Sequence, residues 1–119
     1  MIDISVDESY AFDMLSILLV KFNKTNGESE LANYSNMAQK IKGQVGEERY
    51  RTVLQSIEFE SLWEENQKIF DLVDRVKKEC KGDDLAYRVD SSNFARYVIK
   101  KDLQRKFFNS EVKETKHGY

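Results

Sequence analysis

The chain has 119 residues, 40% hydrophobic and 34% charged, with five glycines and no proline, which suits one compact domain and leaves no room for two. Its 19 Lys and Arg against 21 Asp and Glu give a net charge of -2, a balance that argues against a general polyanion binder and against a solvating acidic chain. The only cysteine is Cys80 and the only histidine is His117, which excludes an intramolecular disulfide, zinc sites of the His/Cys type and any Ser-His-Asp or Cys-His relay in the core.

Asp3, Asp7 and Glu8 stand where an export signal would carry positive charge, so a cytoplasmic protein is expected. Residues 7–24 read as a first helix, with an acidic start and with Asn26-Gly27 suited to a left-handed cap or turn after its end. Tyr10, Met14, Ile17 and Lys21 line one side of it, and Phe12, Leu15, Leu19 and Phe22 line the others. A helix apolar nearly all round is usually sandwiched between neighbours. Its longest apolar run, Leu15 to Val20, contains Ser16 and lies between Asp13 and Lys21, far short of the ~20 apolar residues of a membrane span.

Residues 29–42 carry Leu31, Tyr34, Ala38 and Ile41 at helical spacing, after which Gly43 and Gly46 punctuate the chain. From Glu47 the pattern Tyr50, Val53, Leu54, Ile57 runs on through Phe59, Leu62, Trp63, Ile69, Phe70, Val73 and Val76 with no strong breaker before Gly82. One helix over 47–80 would be roughly 50 Å long, and the change of apolar register between Ile57 and Leu62 predicts a bend or break there. Residues 81–90 are expected to be a connector with at most a short helical turn. Asp90, Ser91 and Ser92 are candidate N-caps for a last helix that passes through Phe94, Val98, Ile99, Leu103 and Phe107 to Asn109. The expectation is an all-α bundle of about four main helices. It comprises a single helical domain over 1–109 and a polar C-terminal tail over 110–119.

Three stretches together resemble a family of short, uncharacterised proteins from bacteria and phages, known only as a domain of unknown function. Asp13-Met14-Leu15-Ser16-Ile17-Leu18-Leu19-Val20-Lys21 is similar to that family's D-K-L-(T/S)-I-L-x-I-K. Leu62-Trp63-Glu64-Glu65-Asn66-Gln67-Lys68-Ile69-Phe70-Asp71-Leu72-Val73-Asp74 is similar to L-W-E-x-N-x-x-L-W-x-I-E-D, and Phe94-Ala95-Arg96-Tyr97-Val98 to L-A-R-x-V-Y. The family's V-S-x-G-E is here Val6-Asp7-Glu8-Ser9-Tyr10, without its glycine and glutamate, and Phe70 replaces a second tryptophan. The resemblance implies a shared fold and carries no reaction.

Glu60, Glu64, Asp71 and Asp74, with Glu65 adjacent, form the most enzyme-like feature. Of these, Glu64, Asp71 and Asp74 are the candidate metal ligands, since such spacing is similar to the carboxylate pairs that hold Mg²⁺ in all-α nucleotide pyrophosphohydrolases. Yet each precedes a cation by four residues, Lys68, Arg75 and Lys78 respectively, the favourable order for a solvated helix face, which is the preferred reading.

Between Ser91 and Asn109 five cations (Arg96, Lys100, Lys101, Arg105 and Lys106) stand against Asp102, while in the first 34 residues two lysines stand against six carboxylates. The cations point in most directions, unlike a nucleic-acid groove, so they are expected to complement the acidic N-terminal region within or between subunits. Asn66 shares a face with Phe59, Trp63, Phe70 and Val73, where a polar amide must find partners. It is either a core amide bonded to a backbone carbonyl or a residue that fixes helix register or an oligomer seam. Trp63 and Phe70 accompany it as candidate core or interface residues, and Cys80 is expected to pack without a catalytic partner.

The function these features favour is a non-enzymatic helical interaction or assembly protein, self-associating as a homodimer or higher homo-oligomer. No catalytic residue is identified, no cofactor or membrane contact is expected, and nucleic acid is a remote third. The alternative is a Mg²⁺-dependent all-α nucleotide phosphohydrolase.

Overall fold

A computed structural model describes the backbone of residues 7–79 and 83–110 and the side chains of 7–73 and 91–110. The described residues form five helices: α1 Glu8–Thr25, α2 Glu28–Val45, α3 Glu47–Leu54, α4 Ile57–Glu79 and α5 Asp83–Phe108. No strand occurs among them.

The expected count of about four rises to five because the segment after Glu47 is two helices. Ser56 is the reason. Its hydroxyl donates to the carbonyl of Val53 at 2.6 Å, at the end of α3, and accepts the N–H of Phe59 at 3.1 Å, in the first turn of α4. The serine thus caps α4 while closing α3, and the chain breaks at Gln55–Ser56, just ahead of the interval where the apolar register changes. The connector expected over 81–90 is also corrected, since helix runs from Asp83 onward and places Asp90, Ser91 and Ser92 inside α5. At the end of α1 the sequence signal and the backbone agree. Asn26 takes the left-handed conformation (φ 52°) and its N–H bonds to the Phe22 carbonyl at 2.7 Å.

Helix α1 packs against α2, α4 and α5, and α4 and α5 form the most extensive helix pair. Three neighbours explain a helix that is apolar nearly all round. The core gathers Phe12 and Leu15 from α1, Ala38 and Ile41 from α2, Tyr50 and Val53 from α3, Phe59 and Leu62 from α4 and Leu103 from α5. Phe12 sits among three rings, with centroids 6.1 Å from Tyr50, 6.4 Å from Phe59 and 6.1 Å from Phe108. No helix among the described residues is long and apolar enough to cross a membrane.

Two glycines three residues apart have opposite roles. Gly43 lies inside α2, where an added Cβ would meet nothing, so it costs helix propensity without serving geometry. Gly46 joins α2 to α3 with φ 93° and ψ 149°, a conformation that is essentially glycine's alone. Gly43→Ala is therefore expected to raise stability by about 0.5–1 kcal/mol, and Gly46→Ala to lower it by about 1–3 kcal/mol. Urea denaturation of the two variants measures both signs.

Burial, then the charge and hydroxyl of neighbouring Tyr34, push the Tyr50 phenol from 10.0 up to about 12. The folded state therefore keeps this proton where the unfolded chain has lost it. The resulting stabilisation is complete below pH 10 and disappears as pH rises from 10 to about 12. Across that window the urea midpoint is expected to fall less steeply in Tyr50→Phe than in the wild type.

Candidate functional site

On α1, Ser9, Asp13 and Ser16 follow one another at helical spacing and all are buried, at 0%, 1% and 0% exposure. A carboxylate so placed must be compensated, and two other helices supply the partners. From α4, Asn66 (2% exposed) donates through Nδ2 to Asp13 Oδ1 at 2.9 Å and to Ser16 Oγ at 2.6 Å. From α5, Arg96 Nη2 donates to Asp13 Oδ2 at 2.5 Å, and Lys100 Nζ lies 3.8 Å from the same oxygen. The Ser16 hydroxyl itself donates to the Asp13 backbone carbonyl at 2.7 Å. The cations are in turn oriented: Arg96 Nη1 donates to Asn93 Oδ1 at 3.0 Å, one turn back on α5, and Lys100 Nζ stands 5.6 Å from the centroid of the Tyr10 ring.

A second set of bonds continues the cluster toward the start of α1. The N–H of Ser9 belongs to the first turn and has no acceptor within its own helix. Gln104 of α5, 1% exposed, accepts it through Oε1 at 2.8 Å and donates through Nε2 to Glu8 Oε1 at 3.0 Å and Ser110 Oγ at 2.8 Å. Ser9 Oγ, Trp63 Nε1 and Arg96 Nε are buried without a hydrogen-bond partner among the described residues.

This arrangement holds a carboxylate still. Both oxygens of Asp13 are occupied, one by an amide and one by two cations, and no nucleophile and base are paired within it. Asn66, singled out in the sequence, spends its amide on side chains of α1 in the same chain. Trp63 and Phe70 are half-buried on α4. Glu64 is exposed. Asp71 is exposed and accepts from Lys24 Nζ of α1 at 2.7 Å, a bond that holds its carboxyl below the ordinary aspartate value. Lys68 bonds to Glu65 at 3.2 Å. The side chains of Asp74, Arg75, Lys78 and Cys80, and all of His117, lie outside the described residues. Among the described residues no three His, Cys, Asp or Glu side chains gather as a metal ion would require.

The basic helix spends charge internally, with Arg96 and Lys100 on Asp13 and Lys106 on Glu58 of α4 at 2.9 Å. Asp13, Ser16, Arg96, Lys100 and Gln104 were not marked as site residues by sequence reasoning. One signal could have found Asp13: a lone carboxylate flanked by Phe12, Met14 and Leu15 on a helix apolar nearly all round has to face a buried cation.

Comparison with protein-family models, curated proteins and solved structures finds no match to this chain.

Proposed function

We propose that the protein is a non-enzymatic helical module that acts by binding a second copy of itself through the outer face of α5. The observation that carries this reading is the contrast between the two sides of that helix. Its inward side chains, Arg96, Lys100 and Gln104, are tied to α1, whereas Phe94 and Val98, one turn apart, are 51% and 40% exposed. Val73 of the paired helix α4 adds a further apolar side chain at 39% exposure. Large apolar groups partly exposed on neighbouring helices favour association, and a two-fold contact is its commonest form.

The same cluster supports kinship with the family that the sequence resembles. Asp13 and Ser16 lie in the first resembling stretch, Asn66 in the second and Arg96 in the third, and all four meet around one carboxylate. The Mg²⁺-dependent alternative would need Glu64, Asp71 and Asp74 turned to one point, and the Asp71 carboxylate is engaged by Lys24.

Sedimentation velocity tests the association. The wild type is expected to sediment as a dimer or larger at ~100 μM, above ordinary dimer dissociation constants. Phe94→Glu/Val98→Glu is expected to sediment as a monomer with unchanged helical circular dichroism. A wild type that stays monomeric at that concentration overturns the reading.

A further inference from the structure

A cleft of about 350 Å³ opens between the start of α1, the end of α2, the start of α3 and the end of α5, and Glu8, which bonds to Gln104, lines it. Its volume is at the lower end of the roughly 300–1,000 Å³ typical of small-molecule sites. Ala11, Ile41, Val45 and Phe108 give it apolar walls. Three polar side chains line it as well: Glu8, Gln44 and Arg49.

The charges are the informative part. The Arg49 guanidinium carbon lies 5.5 Å from the centroid of the Phe108 ring, so the ring supports the cation from one side. No hydrogen bond or ion pair to the described residues occupies its donors. Glu8, which also lines the cleft, receives the Gln104 amide on Oε1 alone. The two opposite charges line one small cleft without pairing to each other. An ammonium and a carboxylate borne by one small molecule would satisfy both, and the walls would accept an aliphatic or aromatic group attached between them.

We propose that this cleft binds a free zwitterionic amino acid with an apolar side chain. Its carboxylate lies on Arg49, its ammonium on Glu8, and its side chain against Ile41, Val45 and Phe108. The small volume favours one amino acid over a longer peptide. The site is separate from the outer face of α5, so it stands or falls apart from self-association.

Isothermal titration calorimetry of the full chain with L-phenylalanine and L-leucine tests it. N-acetyl-L-phenylalanine, which lacks the ammonium, and L-phenylalaninamide, which lacks the carboxylate, serve as the paired controls. Saturable binding of at least one free amino acid is expected, with each control weaker by about tenfold or more. Arg49→Gln should erase the preference for the free carboxylate. Glu8→Gln should erase the preference for the free ammonium, and its amide oxygen can still accept from Gln104. Unchanged circular dichroism establishes that both variants fold; Arg49 is exposed on α3, so its replacement leaves the core intact. Absence of saturable binding by either amino acid at ~10 mM overturns the proposal. Binding that does not distinguish the free amino acid from the two controls, or that keeps its preferences in Arg49→Gln, overturns it equally.

Discussion

Asp13→Ala is expected to remove about 3–5 kcal/mol of folding stability, the usual consequence of deleting one partner of a buried ion pair. The loss follows from what stays behind. Arg96 and Lys100, with side chains 17% and 7% exposed, would lose their common counter-charge, and Asn66 would lose one of its two acceptors. Set against the roughly 5–15 kcal/mol of an ordinary domain, this is enough to unfold much of the population at moderate urea. Replacing the whole group together, as Asp13→Leu/Asn66→Leu/Arg96→Met/Lys100→Met, should be close to neutral, because no charge is then left buried without a partner. Urea denaturation at pH 7 measures both variants. A cost below about 1 kcal/mol for Asp13→Ala would mean that the cluster is solvated in the native state and does not pin the helices.

Phe12→Ala is expected to cost a similar amount, about 3–5 kcal/mol, for a different reason. Phe12 is fully buried where rings from three other helices converge: Tyr50 of α3, Phe59 of α4 and Phe108 of α5. The Phe59 ring meets it edge-on, at an interplanar angle of 83°, a favoured geometry for aromatic pairs. Alanine would leave a cavity whose walls belong to separate helices, none of which can move inward without disturbing the others. The thermal midpoint should drop by about 10–25 °C in a domain of this size. A smaller drop, under about 5 °C, would indicate that α3 and the end of α5 collapse readily onto α1.

The helical class of the fold was legible because apolar spacing is a local property, and in α1 and α2 it is dense. The position of the α3–α4 break was nearly legible. A change of register between Ile57 and Leu62 pointed to an interval just after the actual break, while the residue that makes the break, Ser56, looks in sequence like any other serine inside a helical pattern. The start of α5 was not legible. Asp90-Ser91-Ser92 carries the chemistry of an N-cap, but a cap forms only where the preceding residues leave the helix, and here they continue it. Asn66 stood out because an amide on an apolar face has to be satisfied. Its partners did not, since Asp13 and Arg96 are 83 positions apart and nothing in either neighbourhood names the other. The basic helix reads as a complement to the acidic N-terminal region, to which Asp13 belongs, and only tertiary packing selects Arg96 and Lys100 from among its cations.

The bonds that complete α1 tie one stretch of the chain to another made much later. Ser9 finds its acceptor 95 residues downstream, on Gln104, and Asp13 finds its guanidinium 83 residues downstream, on Arg96. A ribosome makes the chain from the N-terminus onward, so α1 emerges with a carboxylate whose cation does not yet exist. Until those partners are made, burying Asp13 would strand its charge, a cost that disfavours docking of the polar stripe of α1. Assembly is then timed by the arrival of α5: the nascent chain can form α2 and α3 early, yet the central helix is locked only when Arg96 and Gln104 have been made. A message truncated ahead of Arg96 would release a protein that has most of its helices and no means of burying its first one, a species exposed to proteases and to aggregation.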